Sequence, residues 1–167
     1  MSAIKALEDL IKEAKKLEEE GRRIAFRREE EIGEEAIRWF EEVREASYAL
    51  GEFFDKLMGE EKWAGFAQRV GWAAYSMKEN AKACAEWKEE LGACCVSTYV
   101  KEDLKDVDKA YAKASGRTRC TWLLGVKKPY TLSAAVNDLT ACFHRAIEKA
   151  EEFLRSWERE GKCMWRR

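Results

Sequence analysis

The stretch LSAAVNDLTACFHRAIEKAEEFLRSW, residues 132–157, places Leu132, Val136, Leu139, Phe143, Ala146, Ala150, Leu154 and Trp157 at alternating steps of three and four. A helix turns once in about 3.6 residues, so these side chains share one stripe. Thr131 follows Pro129 and offers an N-cap oxygen. Gly161 is expected to end the helix. The pattern is that of an amphipathic helix with one apolar face and a charged remainder.

Upstream, the same spacing recurs four times. Val100, Leu104, Val107, Tyr111 and Ala114 mark a helix over residues 100–115, stopped by Gly116. Trp63, Phe66, Val70, Ala74, Met77, Ala81, Cys84 and Leu91 mark a helix from about residue 60 to 95. At 100° per residue, Trp72 and Tyr75 fall opposite that face. Either this helix is central and buried on both sides, or the aromatic pair meets a partner. Ala36, Phe40, Val43, Ser47, Leu50, Phe54 and Leu57 form the stripe of a helix that follows Gly33, flanked by Trp39 and Phe53. Lys56 in its last turn and Gly59 just beyond are C-terminal signals. Ala3, Leu7, Leu10, Ala14, Leu17, Gly21 and Ile24, widened by Ile4 and Ile11, predict a first helix over residues 3–31. Gly21 either ends a shorter helix or weakens a long one by about 1 kcal/mol.

The expected fold is all-α: a single domain over residues 1–167, built as a bundle of four to five long antiparallel amphipathic helices. Residues 116–131 are expected to form one ordered basic loop, anchored by Trp122, Leu123 and Leu124. Loops of that length without secondary structure of their own are often functional. A chain of 167 residues buries about 70% of its unfolded surface, enough for a core without metals or disulfides. Hydrophobic residues at 46% beside charged residues at 38% fit a globular protein.

No apolar run approaches the roughly 20 residues that cross a bilayer. The N-terminal residues enter a charged amphipathic pattern at once, without an apolar signal region. The expected setting is cytoplasmic, or an assembly built inside a cell, with no membrane partner. Glu occurs 26 times against one Gln and two Asn. That bias, with abundant Lys and Arg, resembles hyperthermophile composition.

Six cysteines (Cys84, Cys94, Cys95, Cys120, Cys142 and Cys163) are many for an intracellular helical protein. Reduced thiols are the ordinary state there, and hyperthermophile proteins are the exception. Six cysteines allow 15 complete pairings, which sequence does not choose among. A vicinal bridge between Cys94 and Cys95 is strained. Cys120, in the loop, and Cys163, near the C-terminus, are the natural staples.

Catalytic chemistry finds few supports. His144 is the one histidine, at a flank of its stripe, and Ala141 stands three residues before it. The Glu-x-x-His pairs of di-iron bundles are therefore missing. No C-x-x-C pair or zinc-finger spacing occurs, and Cys142 and His144 point to different sides of one helix. Phosphate loops and nucleophile elbows are absent. Glu29, Glu30, Glu31, Glu34 and Glu35 read as a solvated face. The expectation is no catalytic residue, no cofactor and no metal.

Charge is segregated instead. Residues 1–60 hold 11 basic and 17 acidic side chains, and residues 111–167 hold 12 and 6. From 111 to 130 come Lys113, Arg117, Arg119, Lys127 and Lys128 with no acid, interleaved with Tyr111, Trp122 and Tyr130. Lys162, Trp165, Arg166 and Arg167 add a basic tail. Bases neutralise phosphates and exposed aromatics stack on nucleobases. The competing account buries Trp122 in the core and lets the bases offset the acidic helices.

The primary functional expectation is a non-enzymatic helical subunit acting through protein–protein contact, self-associating, with Trp72 and Tyr75 as partner contacts. A chain acidic at one end and basic at the other can associate head to tail. The alternative is a nucleoprotein or capsid-like subunit contacting nucleic acid through Lys113, Arg117, Arg119, Trp122, Lys127, Lys128, Arg166 and Arg167.

Overall fold

A computed structural model of the chain describes residues 2–27, 33–91, 98–122 and 131–164, with side chains described outside 84–91, 98–99 and 160–164. Five helices fill it: α1 (Ala3–Ala25), α2 (Gly33–Lys56), α3 (Glu61–Leu91), α4 (Thr98–Ser115) and α5 (Leu132–Met164). There is no strand among the described residues.

The helix ends follow local chemistry. Ser2 Oγ accepts from the Lys5 amide at 3.2 Å and caps α1. Gly59 adopts φ +64°, a left-handed conformation that lets the Glu60 amide reach the Phe54 carbonyl at 2.8 Å. Gly116, at φ +78°, closes α4 in the same region of backbone space. Thr131 Oγ1 accepts from the Ala134 amide at 3.1 Å, the expected cap of α5. Gly161 does not end that helix, which continues to Met164. A glycine costs a helix only about 1 kcal/mol, and no proline follows to enforce a stop. The helix expected over residues 3–31 ends at Ala25, with Phe26 and Arg27 in a turn and residues 28–31 outside the described residues.

The predicted stripes meet in one core. α1 packs on α5 and α2, α2 on α3, and α3 on α4 and α5. Trp39, Phe40, Phe54, Phe66, Met77, Leu104, Leu139 and Phe143 are fully buried. Each such side chain contributes about 1.5–3 kcal/mol by leaving water. Ile11, which widens the stripe of α1, is buried, and Leu10, a member of the stripe, packs at the edge of the core. Gly21 is interior to α1, not its end. An added Cβ there would lie 2.4 Å from Trp39 Cζ2 and 2.5 Å from Thr140 Oγ1. The missing side chain is therefore the space that the Trp39 indole occupies. α3 is the central helix, yet Trp72 on its far side stays 48% exposed. No helix among the described residues is long and apolar enough to cross a membrane.

Candidate functional site

The loop after α4 is tied down at three consecutive residues. Asp108, on α4, accepts the Cys120 amide at 2.8 Å and the Thr121 amide at 3.0 Å through Oδ1. Its Oδ2 accepts the Thr121 hydroxyl. Asp138, fully buried on α5, accepts the Trp122 amide at 2.7 Å. Cys120 and Cys142 form a disulfide, with Cα atoms 4.9 Å apart. Hydrogen bonds to an ionised carboxylate are roughly twice as strong as neutral ones. They also satisfy amides that would be costly to bury unpaired.

This clamp corrects the expected means of anchoring. Trp122 was expected to hold the loop by its side chain, and instead its ring is 69% exposed while its backbone is fixed. Leu123 and Leu124 lie outside the described residues. Cys120 is a staple as expected, and its partner is Cys142. The side chains of Cys84, Cys94, Cys95 and Cys163 lie outside the described residues. The signal for Asp138 was present in the sequence: Ala135, Asp138 and Cys142 step by three and four, which puts a carboxylate on a buried stripe.

The basic candidates are exposed but divided. Lys113, Arg117 and Arg119 are on the surface and form no ion pair among the described residues. Lys113 lines a groove between α3 and α4 with Lys62, Arg69 and Lys109. Arg117 faces a cleft of mixed charge, where Arg145, Lys149 and Arg155 alternate with Glu148, Glu151 and Glu152. Tyr111 is not available for stacking. It is 3% exposed and packs on Trp63 and Phe66, with ring centroids 6.1 and 5.2 Å away. Tyr130, Lys127, Lys128, Trp165, Arg166 and Arg167 lie outside the described residues. Trp122 instead meets Phe26, 89% exposed, across a groove lined by Arg22, His144 and Arg145.

The second candidate is the aromatic face of α2 and α3. Trp72 and Tyr75 stack with centroids 5.6 Å apart. Arg44 and Lys78 approach the Tyr75 ring at 5.5 and 5.2 Å, within cation–π range. Tyr48 lies flat on Gly71, where a Cβ would come within 2.8 Å of its ring. Tyr48 and Trp72 then rim a groove with Glu52, Gln68 and Arg69. Beneath, Glu41 accepts from Lys78 at 2.7 Å and from Arg44. The Lys78 hydrogen bond, then that of Arg44, holds the Glu41 carboxyl below the ordinary range. Glu42 moves the other way, because partial burial and the charge of Glu20 disfavour its ionised form.

His144 has a structural setting. Its Nδ1 is 2.7 Å from Glu18 Oε1, and Arg22 contacts the other Glu18 oxygen at 2.6 Å. With the Lys15–Glu151 pair, it straps α1 to α5. Among the described residues, the one group able to present three metal-ligating side chains together is Asp108, Cys120 and Cys142.

No protein-family model, no curated protein and no solved structure matches this chain.

Proposed function

We propose that this chain is a helical interaction subunit that acts through protein–protein contact and associates with copies of itself. The observation that carries the reading is the Tyr48–Trp72–Tyr75 face beside Arg44 and Arg69. Trp, Tyr and Arg are enriched at interface hot spots; Trp and Tyr bury large area with only two torsions to fix, and Arg adds a planar, multidentate donor. An antiparallel arrangement of the helices would present this face as one side of a bundle. Residues 1–60 carry a net −6 and residues 111–167 a net +6, but α1 and α5 pack side by side within the chain, so it is the aromatic face that carries the self-association reading. Light scattering over a range of concentrations tests it. A mass above 19.4 kDa that falls to the monomer in Trp72→Ala/Tyr48→Ala supports the reading. A monomer at every concentration overturns self-association.

A second reading has its own observation. Trp122 and Phe26 are the most exposed large aromatics among the described residues, and Arg22 and Arg145 stand beside them. Exposed aromatics beside these two cations suit single-stranded nucleic acid, whose bases stack and whose phosphates seek cations. Fluorescence anisotropy with labelled oligonucleotides tests this. Binding that weakens steeply with salt and is lost in Trp122→Ala supports it, and no binding at low salt removes it.

A further inference from the structure

The backbone clamp sets a carboxylate oxygen beside the disulfide. Cys120 Sγ lies 3.5 Å from Asp108 Oδ1. A disulfide sulfur carries no hydrogen, so this approach is no hydrogen bond. The Cys120 amide holds that oxygen in place, so the carboxylate stands next to the sulfur at a separation two ligands of one metal ion can have. Tetrahedral zinc, with Zn–S of about 2.3 Å and Zn–O of about 2.0 Å, separates a sulfur ligand from an oxygen ligand by about 3.5 Å.

We propose that reduction of the Cys120–Cys142 bridge creates a binding site for a thiophilic divalent cation, Zn²⁺ or its analogues, held by both thiolates and Asp108. The ligand atoms of the three residues lie within 4.8 Å of one another. They come from three parts of the fold: Asp108 from α4, Cys120 from the loop and Cys142 from α5. Both cysteines are buried, Asp108 is half-buried, and the cluster needs only modest widening. The sulfurs must part to about 3.8 Å, the tetrahedral spacing of two thiolates.

The surroundings already resemble an outer shell. Ligating carboxylates are commonly held by further hydrogen bonds that fix their orientation. Asp108 is held by the Cys120 and Thr121 amides and by the Thr121 hydroxyl. Two thiolates, one carboxylate and Zn²⁺ sum to one negative charge, which those donors offset. Three protein ligands leave a fourth tetrahedral position for water or another small ligand.

The chemistry balances in two steps. A dithiol reductant gives two electrons and two protons to the S–S bond, yielding two thiols and the reductant's own disulfide. Zn²⁺ then displaces two thiol protons to solvent and forms two Zn–S bonds. Metal and disulfide exclude each other, so occupancy follows the redox poise of the surroundings. Sequence spacing concealed the site, because its ligands are separated by 12 and 22 residues and match no finger pattern.

The test uses the full chain with Cys84, Cys94, Cys95 and Cys163 changed to Ser, so that Cys120 and Cys142 are the only thiols. The protein is reduced with a phosphine, confirmed helical by circular dichroism, and titrated with Zn²⁺ against a chromophoric chelator. Co²⁺ is substituted in parallel to read thiolate-to-metal absorption. We expect one equivalent bound when reduced and none when oxidised. The cobalt absorption should vanish in Cys142→Ser, and Asp108→Asn should weaken binding at least tenfold. Thr121→Val separates ligation from clamping, because it loosens the same loop while sparing every ligand, and it should retain most of the affinity. A reduced chain that binds no Zn²⁺ or loses its helices overturns the proposal. So does binding that survives Cys142→Ser, or a Thr121→Val loss as large as that of Asp108→Asn.

Discussion

The Trp39 indole N–H donates to the Leu17 carbonyl at 2.7 Å, and the same ring fills the space over Gly21, one turn further along α1. One tryptophan thus fixes both the spacing and the rotation of α1 against α2. Gly21→Ala should therefore lower stability by about 1–3 kcal/mol through overpacking. The sign is informative, since alanine in an open helix position would add up to about 1 kcal/mol. Urea denaturation measures it, and a stabilised variant would mean that Trp39 moves freely.

Asp138, fully buried on α5, fixes Trp122 by accepting its backbone amide. Asp138→Ala removes the acceptor and leaves the Trp122 amide unpaired, so a loss of about 1–3 kcal/mol is expected. Amide hydrogen exchange should quicken at Trp122 first, with the Cys120 and Thr121 amides still held by Asp108. Uniform quickening throughout α5 would assign Asp138 to the core of the helix and not to the loop.

The disulfide spans 22 residues and cross-links the start of the loop to α5. Breaking it by Cys142→Ser in metal-free buffer should cost about 3 kcal/mol, the usual effect of a loop of that size. Thermal melts with and without reductant should converge for the variant and differ for the parent chain.

Acid should weaken the α2–α3 contact at Glu41. Its folded carboxyl lies below the ordinary range, held there by Lys78 and then Arg44. That contribution is complete above the unfolded value of about 4.3 and fades as the pH falls through the folded value. Glu41 is partly exposed, so the effect stays below about 1 kcal/mol. Glu42, raised by burial and by Glu20, acts in the opposite direction. Stability curves from pH 3 to pH 6 for Glu41→Gln should be flatter than those of the parent chain.

The stripes of all five helices were legible because burial repeats at the helical period, and Gly59 and Gly116 were legible because a left-handed turn needs glycine. The loop was misread for a physical reason. Hydrophobic residues in a loop suggest a side-chain anchor, whereas Asp108 and Asp138 anchor the backbone and leave Trp122 exposed. Carboxylates on charged helices look like solvated surface until a neighbouring amide reaches them. The choice of Cys142 as the partner of Cys120 depends on how α4 and the loop cross α5, which no local pattern encodes.

The placement of α4 has a dynamic consequence. By helix packing it rests chiefly on α3, and its other hold on the molecule is the disulfide and carboxylate clamp to α5. Elements with one neighbour open at lower free energy than elements enclosed on several sides. α4 is thus held to the other helices mainly through α3 and through this clamp. With the bridge reduced, amide exchange in α4 is expected to quicken before exchange around the Trp39 contact between α1 and α2.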